Sequence, residues 1–126
     1  MRYRIVFDTM KNIVIVTAWG KPSERVIESF LLKCMKDPKY KKGMSLCVDF
    51  RDVCLINCSY KSIIFLSELT IQMNEILKLR KIAITISSEI GYGLARMWEI
   101  RSDCCLSTEI MVFKELSESL NWIKNF

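Results

Sequence analysis

The chain has 126 residues, 51% of them hydrophobic, and a formal charge of +5. That length and composition suit one compact domain spanning residues 1–126 and exclude a disordered chain. No window reaches the ~18 uncharged apolar residues of a membrane span, and Asp8 and Lys11 interrupt any signal-like start, so the expected setting is the cytoplasm, with six reduced cysteines.

Tyr3 to Asp8 and Asn12 to Trp19 are two β-rich runs separated by three residues, which predicts an antiparallel hairpin. Gly20, Pro22 and Ser23 punctuate the chain, and a helix follows to about Asp37 with Val26, Ile27, Phe30, Leu31 and Cys34 as its buried stripe. Leu32 falls off that stripe. A strand runs from Ser45 to Arg51, and the loop Asp52 to Ser59 feeds the longest helix, Tyr60 to Leu79. Its stripe reads Ile63, Leu66, Leu69, Met73, Ile76 and Leu77. Lys81 to Ser87 is a β-branched strand, Ser88 to Gly93 a loop, and Leu94 to Arg101 a short helix with Leu94, Met97 and Trp98 inward. Glu109 to Phe113 is the last strand and Leu116 to Lys124 the closing helix.

This order predicts an α/β fold with a mixed five-stranded sheet. The opening hairpin supplies an antiparallel edge, and right-handed strand–helix–strand crossovers supply parallel pairing. In such sheets ligands gather at the carboxyl ends of the parallel strands. Asn57, Cys58 and Ser59 fall there on one loop, with Ser87, Ser88, Tyr92 and, one turn into its helix, Arg96 on the next. These residues form the candidate ligand or switch site. Their free backbone N–H groups offer a weak anion site, although Ser59 also fits an ordinary helix cap and Gly91 and Gly93 ordinary turn glycines. Cys58, just before a helix, is the one thiol a helix dipole would activate, although buried and inert is the commoner state of a free cysteine.

Much chemistry is missing. There is no histidine, which removes Ser-His-Asp and Cys-His pairs and histidine zinc sites. No phosphate-binding loop or dinucleotide fingerprint occurs. Cys54 with Cys58, and Cys104 with Cys105, lack metal or redox spacing, and are expected at opposite edges of the sheet. No catalytic residue, metal or cofactor is therefore expected. The lysines at 36, 39, 41 and 42, and the group Lys78, Arg80 and Lys81, sit at helix C-termini, where cations offset the dipole. No nucleic-acid partner is expected from them.

The segment VDFRDVCLINCSYKSIIFLSEL, from Val48 to Leu69, resembles the STAS superfamily of sulphate-transporter and anti-sigma-factor-antagonist domains. The tail, Gly93 to Ile100 and Glu109 to Ile123, resembles the closing helix–strand–helix of SpoIIAA-like proteins. The resemblance implies a non-enzymatic interaction domain, sometimes switched by phosphorylation of a serine in the loop before the second helix. On this chain the phosphoacceptor position falls on Cys58, the aspartate before it on Asn57, and the glycine on Tyr60, while Ser59 keeps a hydroxyl. The related SEC14-like domains imply another role, holding a small apolar molecule or lipid, here between Trp19, Tyr92, Trp98 and the Cys58 loop. The interaction reading has independent support, because Ile64 and Ile71 fall two turns apart beside Glu68, off the core stripe of the long helix. The expected assembly is a homodimer, with any other protein partner unspecified.

Overall fold

The computed structural model describes residues 1–103 and 107–124. Cys104 and Cys105 lie outside the described residues, so the expectation for that pair stands outside the description. Five strands and four helices follow in chain order. They are β1 Arg2–Asp8, β2 Ile13–Gly20, α1 Glu24–Lys36, β3 Ser45–Val53, α2 Tyr60–Leu77, β4 Lys81–Thr85, α3 Glu89–Asp103, β5 Glu109–Phe113 and α4 Leu116–Lys124.

The strands lie side by side in sequence order. β1 pairs antiparallel with β2, and β2 to β5 are parallel neighbours. Because every crossover steps one strand in the same direction, right-handedness puts all three crossing helices on one face. The β-branched strands alternate accordingly. Val14, Val16, Leu46, Val48, Ile82, Ile84, Ile110 and Val112 join the core beneath α1, α2 and α3. Ile13, Cys47 and Ala83 point the other way and pack with Ile123 of α4. α4 lies across β3, β4 and β5. Lys81 is buried there, its Nζ donating to the Trp122 carbonyl at 2.9 Å and standing 4.7 Å from the indole centroid.

Local capping fixes the helix starts. Ser23 Oγ accepts from the Val26 N–H and Ser59 Oγ from the Ser62 N–H, and α2 ends on Lys78 in the left-handed conformation. Three of the boundaries that differ from the sequence expectation lie at the carboxyl edge of the sheet. β3 runs on to Val53, β4 stops at Thr85, and α3 starts at Glu89, turning most of the expected Ser88–Gly93 loop into helix. Neither Gly91 nor Gly93 has positive φ. A Cβ on Gly91 would sit 2.6 Å from Ser88 Oγ and 2.7 Å from Ile86 Cγ2. This glycine serves close packing within a helix, not a turn.

Two residues expected in the core are at the surface. Ile76 is 56% exposed and Met97 is also exposed. The buried face of α2 is rotated, because it also includes Ser67, bonded to Arg101 of α3, and Asn74, bonded to Thr108 and Leu79. At the amino edge a buried polar triangle closes the sheet. Asn74 Nδ2 donates to Thr108 Oγ1 at 2.7 Å, Thr108 Oγ1 donates to the Leu79 carbonyl at 2.7 Å, and the Leu79 N–H donates to Asn74 Oδ1 at 2.9 Å.

Candidate functional site

The carboxyl edge collects the loop 54–59 between β3 and α2, the short turn 86–88 before α3, and the end of β5. Ser59, Ser87, Ser88 and Arg96 are all engaged there in local bonds. Ser59 caps α2 and shares a hydroxyl contact with Ser62 at 3.2 Å. Ser87 Oγ donates to the Arg51 carbonyl at 3.2 Å, and Ser88 Oγ accepts from the Gly91 N–H at 3.0 Å. Arg96 turns along its own helix to Glu99, Nη1 to Oε2 at 2.6 Å, and not toward the loops. Asn57 is exposed in the first loop. Tyr92 is half-buried beneath Lys114, whose Nζ lies 5.0 Å from the ring centroid and 2.6 Å from Glu89 Oε1.

Cys58 is half-buried, with the Ser59 cap between it and the first turn of α2. Burial pushes its thiol pKa up, and the hydrogen bond with Ser62 only partly offsets this. Burial thus favours the protonated thiol, the commoner of the two states weighed from the sequence. Among the described residues no group of three His, Cys, Asp or Glu is placed to hold a metal ion.

The expected apolar pocket also changes shape. Trp19 sits on β2 in alternation with Val16 and Ala18, which belong to the core under α1 to α3. Its side chain is therefore on the opposite face of the sheet from Trp98, and the two cannot wall one pocket. A cavity of about 90 Å³ lies instead between the sheet and the helices, lined almost wholly by apolar side chains including Leu55, Cys58, Ile63, Leu66, Leu94 and Trp98.

The carboxyl edge also carries Asp49, a buried carboxylate that the sequence sets aside as a phosphoacceptor because no acidic pair follows an opening parallel strand. Arg51 grips it with Nε to Oδ1 and Nη2 to Oδ2, both at 2.9 Å, and the Arg51 N–H adds a third bond to Oδ1 at 3.1 Å. Burial raises the Asp49 pKa, but the bonds and charge of Arg51 outweigh it and hold the carboxyl below its ordinary value. Nothing in the strand pattern distinguishes this aspartate, because its partner lies two residues away on the same strand.

Apolar groups gather along the seam between α2 and α3. The seam is fixed by Trp98 Nε1 donating to Thr70 Oγ1 at 3.1 Å, and by Arg101 donating to Ser67 Oγ at 3.3 Å and to the Tyr60 hydroxyl at 3.5 Å. On α2 the row through Ser67 is Tyr60, Ile64, Ser67 and Ile71; on α3 the row through Arg101 is Ile90, Leu94, Met97 and Arg101, both at helical spacing. Ile64 and Ile71 are half-buried along this row because α3 covers their flank, while Glu68 beside them is exposed. Along these rows the exposed apolar residues are Tyr60 (52%), Ile90 (57%) and Met97 (37%), with Ile56 of the preceding loop at 64%. Leu55 lies where a Gly91 Cβ would be 3.1 Å away, which brings the neighbouring Ile56 and Ile90 to the same corner.

No protein-family model and no curated protein sequence matches the chain. A solved structure does: an uncharacterised protein of the DUF3478 family with a SpoIIAA-like fold, from Shewanella loihica PV-4, similar with a TM-score of 0.61 at 14% identity over 97% of this chain and 92% of that one. At that identity the likeness establishes the fold, which is SpoIIAA-like, as the resemblance of the tail, Gly93 to Ile100 and Glu109 to Ile123, implies. No described helix is long and apolar enough to cross a membrane.

Proposed function

We propose that this chain is a non-enzymatic interaction module that pairs with a second copy of itself through the α2–α3 seam. The observation that carries this reading is the set of exposed apolar side chains, Ile56, Tyr60, Ile90 and Met97, on the 54–59 loop and the two helices that form the seam. Single exposed apolar residues are ordinary, but contiguous ones mark contact surfaces. Ile64 and Ile71 extend the stripe inward, and Glu68, Lys61 and Arg101 supply charges of both signs at its border. A two-fold interface needs such a mixed border, since each copy must complement itself. The capped and internally bonded loops support a binding role over a catalytic one.

The apolar-ligand reading has one observation in its favour, the cavity beneath the Cys58 loop. Its volume of about 90 Å³ falls well below the roughly 300–1,000 Å³ of small-molecule pockets. A gap of that size takes a few heavy atoms, not a lipid chain. The seam is the better supported site.

Size-exclusion chromatography with light scattering tests the pairing, using Ile90→Glu and Met97→Glu, both at exposed positions. The wild-type chain is expected to run at twice its 14.8 kDa mass and each variant at the single-chain mass with unchanged circular dichroism. A mass that neither substitution alters refutes the seam as the contact.

A further inference from the structure

A second surface lies at the far edge of the sheet, away from the α2–α3 seam. β1 is an edge strand, paired only with β2. Edge strands leave alternate N–H and C=O groups facing outward, and proteins usually blunt them with bulges, proline or brevity. β1 has none of these. Its seven residues pair with β2 in unbroken register from Arg2 to Asp8, and no proline interrupts them. Its only protection is charge.

That charge is mostly positive. On the α1 side a groove of about 640 Å³ runs between β1 and the end of α1, with Ile5, Val6 and Phe7 along the strand and Lys33, Lys36 and Lys39 along the opposite wall. Val6 is 47% exposed. Lys33 Nζ is held 5.1 Å from the Tyr3 ring centroid, so one cation is fixed beside the strand. On the other face of the strand Arg2 and Arg4 are exposed. Two acids lie among these cations, Asp37 in the groove lining and Asp8 at the end of β1, with Asp8 Oδ1 accepting from the Lys11 N–H at 3.1 Å and Asp37 Oδ1 from the Lys39 N–H at 2.8 Å; Arg2, Arg4, Lys33, Lys36 and Lys39 outnumber them.

We infer that β1 and its groove dock an extended, acidic peptide segment of a partner protein by strand addition. The peptide's backbone pairs with the outward N–H and C=O groups of β1. Its apolar side chains meet Ile5 and Phe7, and its carboxylates meet Lys33, Lys36 and Lys39 on one face and Arg2 and Arg4 on the other. Main-chain pairing supplies affinity in this mode, and the flanking charges choose the partner. The same cations reject a second copy of β1, because two such edges would bring their lysine walls together. This inference uses a different surface from the seam and does not depend on it.

The test titrates the full chain with a fluorescein-labelled peptide of alternating glutamate and valine, against glutamine–valine and lysine–valine controls. A short single-stranded oligonucleotide serves as a non-peptide anion. Saturable binding of the acidic peptide is expected, at least about 10-fold tighter than the glutamine control and weakening as salt rises from about 0.05 M to about 0.3 M. Lys33→Glu with Lys36→Glu, both at exposed positions, is expected to weaken it at least about 10-fold with unchanged thermal unfolding. Amide exchange read by NMR is expected to slow at alternate residues of Arg2–Asp8 on binding. The inference is overturned if the acidic peptide does not bind by about 1 mM, if the glutamine control or the oligonucleotide binds as well, if the double variant binds normally, or if β1 amides gain no protection.

Discussion

Gly91 and Gly93 are two residues apart in α3, yet alanine is expected to act oppositely at each. At Gly93 an added Cβ meets nothing within 4 Å. The substitution there removes only the backbone freedom of glycine in a helix, which stabilises by about 0.5–1 kcal/mol. At Gly91 the same Cβ falls 2.6 Å from Ser88 Oγ, 2.7 Å from Ile86 Cγ2 and 3.1 Å from Leu55 Cδ1. Overpacking of this kind costs about 1–3 kcal/mol, of which the helix gain returns up to about 1. A net loss of about 1 kcal/mol remains, and the Ser88 cap on the Gly91 N–H is disturbed with it. The two variants should therefore differ by about 2 kcal/mol. Urea unfolding followed by circular dichroism reads this directly. With a slope of about 1.5 kcal/mol/M, Gly93→Ala should raise the midpoint by about 0.5 M and Gly91→Ala should lower it by a similar amount. If Gly93→Ala destabilises, the segment is not helical there. If Gly91→Ala is neutral, the contact with Leu55 and Ile86 is not tight.

Asn74→Ala should cost about 2–4 kcal/mol, because it strips partners from the Leu79 N–H and weakens the Thr108 link in a buried triangle; a loss under about 1 kcal/mol in chemical unfolding would contradict that. Asp49→Asn should cost about 1–2 kcal/mol, discounted because Arg51 is partly exposed. Since the folded pKa of Asp49 lies below its ordinary value of 3.8, its contribution is present above that value and is lost as pH falls through the folded pKa. Wild type and Asp49→Asn should thus converge in stability on acidification, and a constant gap down through that range would contradict the assignment. Cys58 should alkylate slowly near neutral pH, with a rate midpoint above the ordinary 9.0 of a cysteine thiol; a midpoint below that would restore dipole activation.

The order of elements was legible because each strand is a dense β-branched run and each long helix carries an apolar stripe. The start of α3 was not, because glycine reads as a turn signal, and the reason Gly91 is needed, a Leu55 methyl from another loop, is a tertiary contact. Ile76 matched the stripe of α2 by spacing alone. The stripe was misplaced because the buried Ser67 and Asn74 are polar and invisible to a hydropathy pattern. Lys81 looked like one of several helix-end cations until Trp122 covered it. Of the candidate loop serines, Ser59 and Ser88 cap their helices, the ordinary role weighed beside the ligand role, while Ser87 bonds to the Arg51 carbonyl. Ile64 and Ile71, expected on the outward side of α2, are half-buried beside α3, and the exposed Ile56, Tyr60 and Ile90 carry no periodic signature that marks them.

Methyl NMR over a dilution series, with isoleucine and methionine selectively labelled, tests self-pairing through the seam most directly. The Ile56, Ile64, Ile90 and Met97 signals should shift together with concentration, while Ile13 and Ile123, packed under α4 on the far face, stay fixed. Seam methyls that do not move from micromolar to millimolar protein, or a shift confined to the α4 face, would contradict the account.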